Sequence, residues 1–319
     1  MNLSANMSTL RNICLLLFGL LTISSASDWH YGSHDAQADP SGWAHVTNSV
    51  CNGQYQSPID VPSVMKQDYS VISNFRLQGF GNTNQYTTTI KNNGHTLQVD
   101  IAGDLIVSGG GLPGSSFKMA QLHFHWGHDN SDGSEHTYNG RPYPMEMHIV
   151  NYNQKYSSIQ EAIDKDDGLA VLGFWVTHTT TDNSAFAPIT NAIGNVTYKG
   201  TNNPLTLNVG AMLPKNMNRF FRYKGSLTTP PCFESVTWTM FEDKIFLSRQ
   251  QLDMFRSASS DGRGQTHPLV DNFRPVHPLN GREVSRNFKL EDELNTAAHF
   301  SNVGVTFTVI IAILQSYVF

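Results

Sequence analysis

Three histidines, by their type and spacing, are the residues of this sequence best suited to chemistry. His123 and His125 flank one phenylalanine, and His148 ends a later segment. Alternate side chains of a β-strand point to the same face, so one strand would aim His123 and His125 at a single point and a neighbouring strand could add His148. Three neutral nitrogens that leave the fourth position of Zn²⁺ open are typical of a catalytic zinc site, whereas a structural site fills all four.

Two polar residues strengthen this interpretation over the ordinary alternative, which is two solvent-facing strand histidines and an unrelated third. Gln121 lies two positions before His123, and Glu146 lies two positions before His148. A ligating imidazole usually donates its other ring N–H to such a group, so Gln121 and Glu146 are predicted to support the ligands. Glu146 could instead be a solvated strand residue, but its apolar sequence neighbours argue against leaving it unpaired.

The elements that would position these residues are short β-strands. Alternating apolar and polar residues separated by Asn, Gly and Pro recur along the chain, as at 87–90 and 96–101. A short helical stretch begins near Ser157. The 319 residues contain no internal repeat, low-complexity block or Pro/Gly/Ser-rich linker. The pattern therefore predicts one mainly β domain with a few short helices, of about 260 residues and able to bury a large core.

The N-terminal segment is typical of a secretory signal peptide, predicted at residues 1–26. Arg11 precedes an apolar run at 13–23, and the small residues at 24–27 suit cleavage. The run is too short to span a membrane. A buried N-terminal helix is the alternative.

Secretion sets expectations for the cysteines and for glycosylation. Cys51 and Cys232 remain after cleavage, and an oxidising compartment makes their pairing the default over two buried free thiols. Asn195 begins the one N-glycosylation sequon outside the signal peptide. The formal net charge is −5, and no basic run alternates with aromatic residues, so no nucleic-acid partner is predicted.

The C-terminal segment, residues 291–319, resembles a signal for attaching a GPI anchor. Residues 303–319 are mostly apolar and carry no charge. A transmembrane helix needs about 20 residues and is usually followed by basic residues, so this stretch is marginal as a span. Small residues at 295–298 and a short polar spacer precede it, which favours removal of the tail and a lipid anchor at Asn295. A short membrane span is the alternative.

Several separate motifs resemble the alpha-class carbonic anhydrases, in the order of that family and over roughly residues 28–288. Besides the two histidine segments, the motifs are Gln56-Ser57-Pro58-Ile59-Asp60, Asn92-Asn93-Gly94-His95, Ser134-Glu135-His136-Thr137, Ser226-Leu227-Thr228-Thr229-Pro230-Pro231-Cys232, Val236-Thr237-Trp238 and Asn272-Phe273-Arg274-Pro275. The resemblance implies a large, mostly antiparallel, twisted central sheet in a catalytic domain at residues 27–290. It also implies a disulfide between Cys51 and Cys232, as in the secreted and membrane branches of the family. The family has a GPI-anchored extracellular branch, which agrees with the predicted signal peptide and the predicted C-terminal attachment signal.

The resemblance implies a reaction as well. His123, His125 and His148 would hold Zn²⁺ in a conical cleft, and a zinc-bound hydroxide would attack CO₂ to give bicarbonate and a proton. Carbonic anhydrase is itself the established example of zinc lowering the pKa of bound water to about 7. The enzyme would then act at the extracellular face of the cell membrane in pH and CO₂/bicarbonate balance, with bicarbonate transporters as conceivable neighbours.

Matching positions give further roles. Thr228 would accept the hydroxide proton and pass its own towards Glu135, although without the resemblance Thr228 would be interpreted as an ordinary turn hydroxyl. His95 would carry protons to buffer, since its intrinsic pKa is near neutral. Tyr31 and Asn93 would order the connecting water. The CO₂ pocket would be formed by residues that could equally be core: Val150, Val171, Leu227, Thr229, Val236 and Trp238.

Departures from the family pattern are few. Gln98 stands where many members have asparagine, and His128 is expected to be a loop residue. A catalytically silent cell-surface binding module on the same fold is the competing function, because some relatives have lost metal ligands. This chain retains all three histidines, which favours the enzyme.

Overall fold

One large sheet, one small two-stranded sheet and a few short helices make up the part of the chain that the structure describes. The computed structural model describes residues 29–32, 39–62, 66–67, 74–114, 116–264 and 267–288. The strands are β1 (Asp60–Val61), β2 (Lys66–Gln67), β3 (Phe75–Gln78), β4 (Tyr86–Asn92), β5 (Leu97–Gly103), β6 (Ile106–Gly109), β7 (Phe117–Trp126), β8 (Thr137–Tyr138), β9 (Met145–Asn153), β10 (Leu169–Thr179), β11 (Asn202–Leu205), β12 (Phe220–Gly225), β13 (Val236–Ser248) and β14 (Ser285–Arg286). The helices are α1 (Ile159–Ala162), α2 (Ala187–Ala192), α3 (Val209–Met212) and α4 (Arg249–Arg256), with 3₁₀ turns at Trp43–His45, Ser184–Phe186 and Ile193–Asn195.

The strand order of the sheet is β11-β4-β5-β7-β9-β10-β13-β12-β14-β2, with β6 joining β3 to β7. Its pairs are antiparallel except β10 with β13 and β14 with β2, which are parallel. The predicted fold class, mainly β in a single domain, is confirmed. The helix expected near Ser157 is α1, whose N-cap Ser158 accepts a hydrogen bond from the backbone N–H of Glu161.

Alternation along β7 and β9 separates the core from the site. Leu122 and Phe124 of β7 and Met147 and Ile149 of β9 belong to the main hydrophobic core. The intervening residues point to the other face, where Val150 packs with a second apolar cluster. Every residue of β9 except one is buried, as expected for a central strand covered on both faces.

The pairing register places the chemistry at one point of the sheet. In the antiparallel pair of β7 and β9, His123 lies opposite His148 and His125 lies opposite Glu146. The register shifts by one residue between Met119 and Gln121, which is a β-bulge. Because a one-residue slip turns every side chain to the other face, the register after this bulge decides that the histidines converge.

A disulfide ties the segment before β1 to the loop between β12 and β13. Cys51 and Cys232 are joined with a Cα–Cα distance of 4.9 Å, and they pack with Trp43. The backbone N–H of Val50 donates to the carbonyl of Pro231 at 2.9 Å. The N-terminal segment is therefore fixed against the loop that follows Thr229.

Several predicted features fall outside the described residues. These are the signal peptide, the C-terminal signal and its attachment site Asn295. Among the helices that the structure describes, none combines the length and apolar character that a membrane crossing requires.

Candidate metal centre

Three imidazole nitrogens converge where β7 meets β9. Nδ1 of His148 lies 3.2 Å from Nε2 of His125 and 3.2 Å from Nε2 of His123. Nitrogens bound tetrahedrally to zinc at about 2.0–2.1 Å would lie about 3.3–3.4 Å from one another. The structure thus brings together the three predicted ligands in an arrangement that could hold Zn²⁺ with little adjustment.

Each ring is oriented by a hydrogen bond at its outer nitrogen. The acceptors are Gln121 Oε1, 2.9 Å from Nδ1 of His123, the Asn272 carbonyl, 2.7 Å from Nδ1 of His125, and Glu146 Oε1, 2.5 Å from Nε2 of His148. An outer N–H donated in this way leaves the lone pair of the inner nitrogen facing the centre. Gln121 and Glu146 therefore lie where the sequence pattern put them. The carbonyl of Asn272 could not be found from local spacing, because it comes from the far end of the chain.

Burial keeps the three rings neutral, the form that binds a metal. Burial is the main cause that lowers the pKa of His123 well below its ordinary value, and the neighbouring imidazoles add to it. Burial also lowers the pKa of His125 to about 3. The pKa of His148 is lowered by burial as well, although Glu146 opposes this effect.

A second histidine network supports His148 from behind. The fully buried carboxylate of Glu146 accepts hydrogen bonds from the backbone N–H of His136 at 2.8 Å and from Nδ1 of His136 at 2.7 Å. Burial alone would raise the pKa of Glu146, but His136 and His148 outweigh it, and the net pKa lies below the usual range. Nε2 of His136 lies 2.7 Å from the hydroxyl of Tyr223, which donates to Ser57 at 2.8 Å.

The supporting role of His136 is absent from the sequence-based prediction. The only signal for it was its place inside the segment at 134–137, directly after Glu135.

Glu135 provides an independent test of whether the site suits a cation. Its Oε1 accepts from the backbone N–H of Arg274 at 2.9 Å, whereas its buried Oε2 has no hydrogen-bond partner. Oε2 lies 3.4 Å from Nε2 of His125 and 3.9 Å from Nδ1 of His148. Burial raises the pKa of Glu135, and interactions with Thr228 and Arg274 act in the opposite direction. A cation among the imidazoles would stabilise this carboxylate as an anion, so the residues present fit zinc.

A cavity of about 210 Å³ opens in front of the histidines. Gln121, His123 and His148 line one side of it, and the opposite wall is mostly apolar. The predicted pocket residues in this wall are Val150, Val171, Leu227, Thr229 and Trp238, together with Thr228, and the wall also contains Ile159, Ile163, Leu169, Pro230 and Pro231. Val236 does not line the cavity: it is fully buried behind the wall, in the same apolar cluster as Trp238.

His95 lies in a tight turn and belongs to a different cavity. Its ring stacks on Trp29, with centroids 3.8 Å apart and planes 13° apart. Asn93 Oδ1 accepts from the backbone N–H of His95 and of Thr96, both at 2.9 Å. Asn93 therefore shapes the turn, in addition to any effect on water. Tyr31 approaches His125 edge-on, with ring centroids 6.5 Å apart. Trp29 was not among the predicted site residues, because nothing in its local sequence marks it.

The remaining predicted positions do not line the cavity in front of the histidines, although Gln98 of β5 lies opposite His123 of β7 in the sheet. Asn195 is exposed, as a glycosylation acceptor must be. His128 is an exposed residue after β7, and its Nδ1 is 3.0 Å from Asp271 Oδ1. Gln98 donates to Asp100 at 2.5 Å and lies beside Asn93.

Comparison with known proteins gives the family. The family model for eukaryotic-type carbonic anhydrases matches residues 38–288. Carbonic anhydrase 15 of Mus musculus is 34% identical over 274 residues, covering 82% of this chain and 84% of that protein. Carbonic anhydrase 7 of Homo sapiens is 36% identical over 276 residues, covering 82% and 97%. Carbonic anhydrase 4 of Oryctolagus cuniculus is 32% identical over 285 residues, covering 85% and 90%. With a converging histidine triad on the sheet that these motifs predicted, the chain belongs to the eukaryotic-type, or alpha, carbonic anhydrase family.

Proposed function

We propose that this protein is an extracellular, lipid-anchored zinc enzyme that interconverts CO₂ and bicarbonate and so contributes to pH and CO₂/bicarbonate balance. Family membership supports the reaction. The observation that carries the proposal is the convergence of three neutral histidine nitrogens beside a cavity with an apolar wall.

His123, His125 and His148 are the residues that would hold the metal. When bound, zinc supplies a water ligand whose pKa is near neutral, and thus a nucleophile at physiological pH. Gln121, the carbonyl of Asn272 and Glu146 hold the three rings in the required tautomers.

Thr228 and Glu135 orient the attacking group in this proposal. Thr228 lies in the cavity wall next to the ligands, and its interaction with Glu135 stabilises the ionised carboxylate. An ionised Glu135 can only accept, so it would make the Thr228 hydroxyl donate to it and leave the hydroxyl lone pair free to accept a hydrogen bond from the attacking group. The hydroxyl would then fix the direction of attack.

The apolar wall is suited to CO₂. Val150, Val171, Leu227 and Trp238 exclude water from the side of the cavity next to His148 and offer no competing hydrogen bond. CO₂ is apolar and carries no net charge, so it would be held there by contact alone, close to the nucleophile.

Each hydration event releases one proton, which must leave the cleft. We assign its transfer to His95, whose imidazole is suited to take up and release a proton near neutral pH. Stacking on Trp29 holds the ring in the lining of a second cavity, which is open to solvent.

The decisive experiment measures metal and activity together. Purified mature protein should contain one zinc per chain and should accelerate CO₂ hydration in a stopped-flow pH-indicator assay, and removal of zinc with a chelator should abolish the acceleration. A folded protein that lacks zinc and activity would instead support the competing function, a binding module on the same fold.

The location is proposed from the two chain ends. The predicted signal peptide, the Cys51–Cys232 disulfide and the exposed Asn195 agree with passage through the secretory pathway. A phosphatidylinositol-specific phospholipase C should release the enzyme from intact cells. Retention on the cells, with Phe319 still present by mass spectrometry, would contradict a lipid anchor and favour a membrane span.

A further inference from the structure

A second cavity, distinct from the one in front of the metal ligands, lies beyond His95. Its volume is about 510 Å³, and it is open to solvent. His95 and its stacking partner Trp29 form part of the lining, and His267 forms another part. A cavity of this size lined by polar groups can hold a chain of hydrogen-bonded waters. It therefore offers a proton path between two histidines that are far apart in the sequence.

The contacts of His267 with Asp261 suit it to accept a proton. Its Nδ1 lies 2.5 Å from Oδ2 of Asp261, and its backbone N–H donates to the same oxygen at 3.2 Å. The carboxylate fixes the tautomer with the proton on Nδ1, so Nε2 is the atom that takes up a further proton. The side chain of His267 is 68% exposed, and that of Asp261 is 25% exposed. Buffer can thus reach the imidazole while the carboxylate stays partly shielded.

One buried amide ties the two histidine segments together. Oδ1 of Asn92 accepts from the backbone N–H of Gly94, next to His95, at 2.8 Å. Nδ2 of Asn92 donates to the carbonyl of Ser259, at the start of the segment that carries Asp261, at 2.9 Å. Asn272 adds a hydrogen bond to the carbonyl of His95 at 2.9 Å. The turn with His95 and the segment with Asp261 are consequently held in a fixed relation, as a relay requires.

We propose that His267, oriented by Asp261, is a second proton-transfer residue of this enzyme, which receives the proton from His95 and delivers it to buffer. The inference rests on the shuttle role proposed for His95. In the step, an N–H bond of protonated His95 breaks, water in the cavity passes one proton on, and an N–H bond forms at Nε2 of His267. A buffer base then removes that proton. No electrons are transferred, and both histidines return to their starting state.

The donor and the acceptor of this transfer are the same chemical group. The proton leaves one imidazole nitrogen and reaches another, so the kind of group that holds it does not change. The other titratable and charged groups in the lining are His30, Tyr31, Lys199, Asp261 and Asp271.

The test replaces His267 with glutamine and separates proton transfer from CO₂ chemistry. In weak buffer, we expect His267→Gln to lower maximal turnover about threefold, less than the roughly 10²-fold of a residue that acts directly on substrate. Concentrated imidazole should restore the rate. Exchange of ¹⁸O between CO₂ and water, which reports interconversion and proton transfer as separate rates, should show only the second reduced.

His128→Gln is the matched control. His128 is similarly exposed, at 61%, and its Nδ1 likewise contacts an aspartate, but it does not line the cavity. The relay would be overturned if His267→Gln kept the full wild-type turnover in weak buffer. It would also be overturned if His128→Gln lost as much turnover as His267→Gln. A loss in His267→Gln that imidazole does not restore would also overturn it, because that result indicates a structural role.

A second variant, Asp261→Asn, keeps the imidazole and removes the carboxylate. We expect a smaller loss of proton transfer in the ¹⁸O-exchange measurement than for His267→Gln, because the imidazole remains and only the group that orients it is lost. Unchanged proton transfer in Asp261→Asn would contradict the role given to Asp261. If wild type itself failed to hydrate CO₂, the proposed function would be wrong, and that outcome is separate from all of these.

Discussion

The metal centre and the proton-exit side are built in different ways. The centre lies on neighbouring central strands, where every ligand ring has a hydrogen-bonded acceptor and His125 and His148 are buried. The exit side consists of a turn and surface segments, where His95 stacks on Trp29 and His267 is exposed. Metal binding needs fixed geometry, whereas proton release needs contact with water. The difference in construction therefore follows the difference in task, and substitutions should affect the two regions unequally.

The largest effect is expected at the centre. His148→Ala should lose zinc during dialysis and lower CO₂ hydration by about 10³-fold or more, since the metal supplies several kcal/mol of activation at 1.36 kcal/mol per factor of ten. Metal analysis and stopped-flow rates measure this, with the exposed His128→Ala as the control. A folded His148→Ala protein with one zinc and full turnover would contradict the role of His148 as a ligand, and with it the description of the metal centre in this comparison.

A smaller effect is expected from Thr228→Ala. The substitution should leave zinc content unchanged and lower turnover by about 10²-fold, since misplacing a reacting group costs about that much. Thr229→Ala, one position along the same cavity wall, is the matched control, and Thr228→Ser should recover most of the rate. Equal activity of the Thr228→Ala variant and wild type would show that the hydroxyl does not orient the attack.

His95→Ala should have a smaller effect still, and one that depends on buffer. We expect turnover to fall by about tenfold in weak buffer, less than for direct acid–base catalysis, because water and buffer partly replace the shuttle. Concentrated imidazole should restore the rate, whereas it should not restore His148→Ala. Equal turnover of wild type and His95→Ala in dilute buffer would contradict the shuttle role of His95. The exit side would then have no separate task to compare with the metal centre.

The smallest effect concerns His277, which is partly buried without lying among the ligands. Burial, together with Arg274 and Arg282, lowers its pKa to about 4 from an ordinary 6.5. Between these values the unfolded chain holds a proton that the folded chain does not, so His277 makes the folded state less stable as the pH falls from about 6.5 to about 4. His277→Gln should lose less stability over that range than wild type in urea unfolding of the zinc-loaded protein. An identical pH dependence would contradict the lowered pKa.

Local patterning explains why the centre was more predictable than the exit side. Period-two alternation in β7 and β9 is visible in the sequence, and it is enough to place Gln121 and Glu146 on the ligand face. The β-bulge before Gln121 is not visible there, although the convergence of the histidines depends on it. For His95, the sequence shows a turn but not the ring of Trp29 that packs on it, because that contact joins two segments that are distant in the sequence.

The sequence by itself determined the ligand types, the strand alternation that groups them, the family and the paired cysteines. These depend on residue identity and on spacing within one element. Tertiary structure decided which carbonyl holds His125, that His136 supports Glu146, that Val236 lies behind the cavity wall, and that His267 shares a cavity with His95. Each of these joins distant parts of the chain, and such contacts are fixed only when the sheet has its register and the surrounding segments close over it.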